Sequence, residues 1–175
     1  MTEVLQSRAT QDLKTGTAPD HPNIMVFPPV IPFSTLALAC LLQWLMPLGW
    51  IATIDQDWRV GSGAVVFMAG LLVTIVARRT MLLHGTNVNP RLPTTALVTD
   101  GLFRRTRNPL YVGILITQYA VAMIFALDWL LLLIIPNWVV LHFAVVMREE
   151  RYLEGKFGDA YRRYKECVPR YLLGI

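Results

Sequence analysis

The chain has little with which to bind a metal or cross-link itself: its 175 residues include 2 cysteines and 3 histidines. Cys40 falls in an apolar run and Cys167 in the polar C-terminal stretch, which makes a mutual disulfide implausible. No group of Cys and His has metal-ligand spacing, so no metal is expected. Charge is scarce too. Asp, Glu, Lys and Arg supply 16% of the residues against 54% hydrophobic ones, and the mean hydropathy is +0.45. That balance excludes an ordinary soluble domain of this size and makes an integral membrane protein the default. An early apolar core is also missing. Residues 1–23 are polar and are read as a flexible N-terminal tail, neither signal peptide nor first span. No internal repeat and no low-complexity tract is visible.

What is present is a series of long apolar blocks. Ile24 to Ile51 can supply a span, with regular helix expected only from near Phe33 because Pro28, Pro29 and Pro32 precede it. Gly61 to Ala77 supplies another, extended to Leu83 with Arg78 and Arg79 reaching the surface. Leu110 to Met147 is apolar almost throughout and too long for one crossing of a hydrocarbon core of about 30 Å. It must turn back, and Asp128 between Leu127 and Trp129 marks the turn. Four transmembrane helices follow, over about 30–51, 61–83, 110–127 and 129–147, arranged as two helical hairpins. Arg78, Arg79, Arg91, Arg104, Arg105 and Arg107 follow the second span, and Arg148, Arg151, Lys156, Arg162, Arg163, Lys165 and Arg170 follow the fourth. By the positive-inside rule both termini and the loop 84–109 face the cytoplasm. The net charge of +4 records this sidedness and calls for no nucleic-acid partner. Absence of a targeting sequence fits a bacterial inner membrane.

Polar groups converge at the cytoplasmic ends of the apolar runs. Pro109 suits the first turn of a helix and Asn108 its cap. Taken alone, Arg107 to Tyr111 is a capped span with interfacial anchors. Glu149 and Glu150 follow the fourth span. They either pair with nearby arginines, or one accepts hydrogen bonds from a ligand while the other holds Arg107; spacing alone leaves both open. The loop from His84 to Asp100 is turn-forming sequence able to present backbone to a ligand. Beyond Glu154, helix is expected to stop at Gly158. A short helix capped by Asp159 and carrying Tyr161 and Tyr164 on one face then folds back over the membrane surface. His84 and His142 read as interhelical hydrogen-bonding groups, Pro136 as a kink, and the tryptophans as interface anchors.

In order and spacing, six segments resemble the integral-membrane methyltransferases that include isoprenylcysteine carboxyl methyltransferase and the phospholipid N-methyltransferases. They are Gly85 to Pro90, Leu97 to Phe103, Arg107 to Gly113, Glu149-Glu150-Arg151, Phe157 to Tyr161, and Tyr164 with Val168-Pro169-Arg170. The likeness runs from about Leu83 to Tyr171. It implies one membrane methyltransferase domain over 24–175, with its site on segments 84–109 and 148–175. It also implies S-adenosylmethionine as cofactor, leaving as S-adenosylhomocysteine. Carried over by motif, the cofactor-binding residues are Leu97, Val98, Gly101, Leu102, Arg107, Asn108, Pro109, Tyr111, Gly113, Glu149, Glu150, Tyr161 and Tyr164, with Arg107 and Glu150 as catalytic residues. Asn108 departs from the His common in isoprenylcysteine enzymes, which blurs the acceptor more than the reaction. The implied acceptor is lipid-like or hydrophobic, entering sideways between helices, and positioning with exclusion of water should supply most of the rate. The rival readings are a sterol-reductase-like enzyme using a dinucleotide, for which four spans are few, and a lipid-binding scaffold without a cofactor.

Overall fold

The computed structural model of the chain describes residues 21, 22, 24 and 26–172. The tail expected over 1–23 therefore lies, but for His21 and Pro22, outside the described residues. The described residues are helical, with no strand. We number the helices α1 (Val30–Leu45), α2 (Gln56–Leu83), α3 (Pro109–Phe125), α4 (Asp128–Leu141), α5 (Met147–Phe157) and α6 (Asp159–Cys167). A wide π turn, His142–Val146, joins α4 to α5, so that Asp128–Phe157 forms one rod of 30 residues. That rod and the 28-residue α2 are long and apolar enough to cross a membrane; α1 and α3 are shorter apolar helices. In the most apolar stretches of the two long helices, 17% and 28% of residues are buried, too few for the core helices of a soluble protein. Phe33, Trp44, Val65 and Leu83 are each more than 70% exposed, a surface suited to hydrocarbon.

Helix α1 starts at Val30, three residues before the expected Phe33. The reason is positional: Pro29 is the cap and Pro32 the third helical residue, where a missing amide hydrogen leaves no intrahelical bond unmade. The same helix stops at Leu45, short of Ile51, and a single 3₁₀ turn Ile51–Thr53 follows. Helix α2 starts at Gln56, before the expected Gly61, because the Asp55 carboxylate accepts the Trp58 amide hydrogen as a cap.

Helices α2 and α3 lie antiparallel at very close range. Gly63 faces Ala120 and Ile124, Gly70 faces Thr117 and Gly113, and a Cβ would meet the Ile124 side chain at 2.7 Å in the first case and the Thr117 hydroxyl at 2.7 Å in the second. The Arg59 guanidinium closes the far end by donating to the Met123 and Ile124 carbonyls, each at 2.6 Å. Helix α1 packs on α4 through polar pairs within the apolar layer: Thr35 donates to Asn137, Asn137 to Gln118, and Gln118 to the Pro32 carbonyl. The turn between α3 and α4 places Ala126 at φ 52°. Beside it, buried Asp128 accepts from the Gly49 and Ile51 amides at 2.9 and 2.8 Å and from Gln43 at 3.2 Å. Asp128 is thus a turn residue, as expected, and also the point where the two far-side loops are pinned together.

Candidate active site

At the opposite end of the helices, the chain folds back on itself. Gly158 adopts φ 52°, reversing direction between α5 and α6. The cap of α6 is Gly158 itself; Asp159 makes no cap hydrogen bond and pairs with Arg162 at 2.8 Å instead. Tyr161 and Tyr164 meet edge to face and are buried in a cluster with Val98, Phe103 and Ala77, and the Tyr164 hydroxyl donates to the Phe103 carbonyl at 2.7 Å. Residues 168–171 then lie along the entry to α3. The Pro169 carbonyl accepts from the Arg107 amide at 3.0 Å, and the Arg170 carbonyl accepts from Thr106 at 2.8 Å and Asn108 at 3.2 Å. Asn108 is the residue before α3, as expected, but makes no side-chain cap. Its amide group fastens the tail.

The segment between α2 and α3 is held by its own side chains. Thr86 accepts from the Thr95 amide, Thr95 donates to the Gly85 carbonyl, Asn87 donates to the Pro93 carbonyl, and the Thr94 amide donates to the Tyr152 hydroxyl. Loop, α3 entry, α5 and α6 together line a cleft of about 820 Å³, solvent-open part included.

Most of the residues expected at a site meet in its wall: Leu97, Val98, Arg107, Asn108, Pro109, Tyr111, Glu149, Glu150, Tyr161 and Tyr164. The remaining candidates do not. Gly113 is turned toward α2, where Gly70 and Thr74 leave no space for a Cβ. Gly101, at φ 56°, begins a 3₁₀ turn above Thr80, and Leu102 packs into the apolar cluster around Tyr161 and Tyr164. Met81, Thr86, Asn87, Val88, Thr94 and Leu153 line the cleft without having been singled out. Thr86 and Asn87 stand within the Gly85 to Pro90 motif, which was the available signal.

Electrostatically, the adjacent glutamates differ. Glu150 is buried and faces two guanidiniums: Arg107 Nη2 at 3.4 Å, and Arg170 in a two-pronged contact at 2.9 and 2.8 Å. The side chains of Arg107 and Glu150 are 8% and 11% exposed, that of Arg170 27%. Glu150 raises the Arg170 guanidinium above its ordinary value. Glu149 faces a phenol, its Oε1 accepting from the Tyr111 hydroxyl at 2.7 Å. Burial pushes the Glu149 carboxyl up to about 7; the Tyr111 hydrogen bond opposes the rise and the charge of Glu150 adds to it. Burial and the negative charge of Glu150 push the Tyr161 hydroxyl up, with Arg107 acting the other way. Arg107 itself is incompletely satisfied: Nε and Nη1 are buried without a hydrogen-bond partner among the described residues. A buried guanidinium with two unpartnered nitrogens in a cleft wall fits an anionic ligand group. Arg170 was quoted in the motif but not expected at the site. The π turn before α5, which sets the angle at which both glutamates leave the rod, carries no signal in an unbroken apolar run.

Long apolar helices with a cleft that gathers buried charged residues at one end fit a membrane protein. The phospholipid methyltransferase family model matches residues 58–160, more than half the chain, and the chain belongs to that family. Over 27 residues it is 67% identical to an uncharacterized protein of Haemophilus influenzae, a stretch covering 15% of this chain and 43% of that protein. No solved structure matches the chain.

Proposed function

We propose that the protein transfers a methyl group from S-adenosylmethionine to a lipid-like or hydrophobic acceptor at the cytoplasmic face of a bacterial inner membrane. In this reading α1, α2, α3 and residues 129–147 of the rod are four membrane spans in two hairpins, with both termini and the cleft cytoplasmic. The short 16- and 17-residue helices α1 and α3 reach about 24–26 Å at 1.5 Å per residue, a modest mismatch with the bilayer.

One observation carries the proposal: the cleft, with its charged residues, and an apolar groove lie next to each other along the same helices. Pro32, Phe33 and Leu36 of α1, Leu71 and Thr74 of α2, and Ile114, Thr117 and Val121 of α3 line a groove of about 840 Å³, outward-open part included. Leu110 and Tyr111 of the cleft lie one turn from Ile114 of the groove, and Met81 of the cleft lies two turns from Thr74. A molecule with a hydrocarbon chain in the groove therefore brings its headgroup to the cleft.

When bound, S-adenosylmethionine supplies an electrophilic methyl group on a sulfonium. Arg107, through Nε and Nη1, would hold its carboxylate, and the wall formed by Leu97, Val98 and Tyr161 would pack its apolar faces. Glu150 and Arg170 orient Arg107, and the folded-back tail excludes water. Proximity in a dried cleft then supplies most of the acceleration. The test is methyl transfer from radiolabelled S-adenosylmethionine into lipid when the purified protein is reconstituted in vesicles of phosphatidylethanolamine. Label in the lipid fraction, lost in Arg107→Ala, is the expected result. Label with neither this lipid nor a farnesylated cysteine derivative would remove a lipid-like acceptor from the account.

A further inference from the structure

The segment that leads into α1 borders both cavities. Pro22, which is buried, forms part of the cleft wall. Ile24 and Val26 pack on the apolar cluster that holds Tyr111, a cleft residue, and Ile114, a groove residue. Pro29, Pro32 and Phe33 then line the groove. In one short stretch the chain passes from one cavity to the other. That stretch precedes residues 58–160, which carry the family likeness, so the likeness does not account for it.

Its composition suits that place. Irregular backbone beside hydrocarbon is costly wherever an amide hydrogen goes unpaired, and Pro22, Pro28, Pro29 and Pro32 have none. The Ile24 amide donates to the Pro22 carbonyl at 2.8 Å, that of Val30 to the Phe27 carbonyl at 2.9 Å, and that of Ile31 to the Pro28 carbonyl at 3.3 Å. The segment is also tied to the loop between α2 and α3. The Arg91 guanidinium stands 4.7 Å from the centroid of the Phe27 ring, within cation–π range, and the preceding residue, Pro90, lines the cleft. Phe27 and Arg91 themselves line neither cavity. Their contact acts through the residues it places.

Resting on the methyl-transfer reading, we propose that this segment selects the acceptor. Pro29, Pro32 and Phe33 hold a hydrocarbon chain against α2 and α3, Pro22 bounds the cleft that the headgroup enters, and the Phe27–Arg91 contact is the positioning pair that keeps the two ends in register. An acceptor without a hydrocarbon chain gains nothing from the segment, so the protein prefers a lipid to its free headgroup. The pair contributes binding that is equal before and during the reaction, which shows in KM and leaves kcat alone. The residues proposed to hold the donor, Arg107, Leu97, Val98 and Tyr161, lie outside the segment, so donor affinity does not depend on the pair.

The experiment uses the full chain in phosphatidylcholine vesicles containing a varied fraction of phosphatidylethanolamine or of a farnesylated cysteine derivative, which separates KM from kcat. Phosphoethanolamine and the S-methyl cysteine derivative serve as the chainless counterparts. Phe27→Leu removes the ring and Arg91→Gln the cation. Each should raise KM for the methylated lipid by about 5–30-fold, the range of a partly desolvated cation–π contact, with kcat and calorimetric S-adenosylhomocysteine affinity within about threefold. The double variant should be no worse than either single one, and Arg91→Lys, which keeps a cation over the ring, should stay within about threefold of the wild type. The same lipid carrying a photoreactive diazirine in its hydrocarbon chain should label Pro29, Pro32 or Phe33. Additive losses, S-adenosylhomocysteine affinity falling as KM rises, no label at these residues, or equal wild-type turnover of the lipid and its chainless counterpart would overturn the proposal while methyl transfer stands. A wild-type protein that neither binds S-adenosylhomocysteine nor methylates any of the four compounds would overturn the methyl-transfer reading, and this proposal with it.

Discussion

Replacing Glu150 with alanine probes the centre of the site. The substitution strands the Arg107 guanidinium, which is 8% exposed and pairs with Glu150 at 3.4 Å. It also removes both contacts of Arg170, 2.9 and 2.8 Å long. Arg170 is 27% exposed and can turn to water, so its share resembles a surface pair at about 0–1 kcal/mol. Arg107 cannot, and leaving a buried charge unpaired costs about 3–5 kcal/mol. The sum is about 3–6 kcal/mol, and at about 2–4 °C per kcal/mol for a chain of this size Tm should fall by roughly 6–24 °C. Thermal unfolding in detergent measures it, and a double-mutant cycle with Arg107→Met isolates the pair. With the cation gone, Glu150→Ala should cost at least 2 kcal/mol less than it does in the wild type, about the coupling expected of a desolvated pair. A loss under about 1 kcal/mol for Glu150→Ala, or additive effects in the cycle, would refute the argument that these charges are desolvated and mutually dependent.

Other consequences are independent of that triad. Asp128→Ala leaves the Gly49 and Ile51 amides without their acceptor and should cost about 2–4 kcal/mol, with Asp128→Asn losing less; equal melting of wild type and Asp128→Ala would show that the far-side loops are held by something else. Gly113→Ala sets a Cβ against the Gly70 carbonyl at 2.9 Å and the Thr74 amide at 3.0 Å, backbone that cannot yield cheaply, so about 1–3 kcal/mol of stability should go with S-adenosylhomocysteine affinity of the folded fraction unchanged. Glu149 has its carboxyl raised from 4.5 to about 7 by the fold, so the fold favours its acid form: the cost of ionising it is absent below 4.5, accumulates up to about 7, and is constant above. Glu149→Gln should therefore gain on the wild type as pH rises from 5 to 8, by at most about 3 kcal/mol, and a difference independent of pH would contradict the shift.

Much of the site was legible because its geometry follows from local rules. Pro109 opens α3 where a missing amide hydrogen is harmless, Gly158 reverses the chain at positive φ, and Tyr161 and Tyr164 share a face by helical spacing. Asp128 alone in a long apolar run had to be a turn, so the run's two ends had to return to one level. That consequence put Arg107 beside Glu150. What escaped was non-local or without a side-chain signature. Arg170 follows Pro169 in a basic tail and reads as a surface cation; that it completes the Glu150 pair depends on how residues 168–171 dock. Gly113 was read with the binding motif, yet its missing Cβ serves contact with Gly70 and Thr74. Asn108 looked like a helix cap because Asn before Pro usually is one, and its amide instead reaches the Arg170 carbonyl. Pro32 looked like a helix breaker, a reading that fails in a first turn.

The central claim is that the cleft holds the methyl donor through Arg107. Its most direct measurement is calorimetric titration of the full chain in detergent with S-adenosylhomocysteine, beside Arg107→Lys and Arg104→Lys and with a nicotinamide dinucleotide as the competing ligand. The account predicts one-to-one binding of S-adenosylhomocysteine to the wild type and to Arg104→Lys. It predicts a loss of at least tenfold in Arg107→Lys, where a point charge replaces the planar fork that pairs with Glu150 and leaves Nε and Nη1 free. Heat from the dinucleotide and none from S-adenosylhomocysteine would contradict it, and equal affinity in the two lysine variants would remove Arg107 from the site.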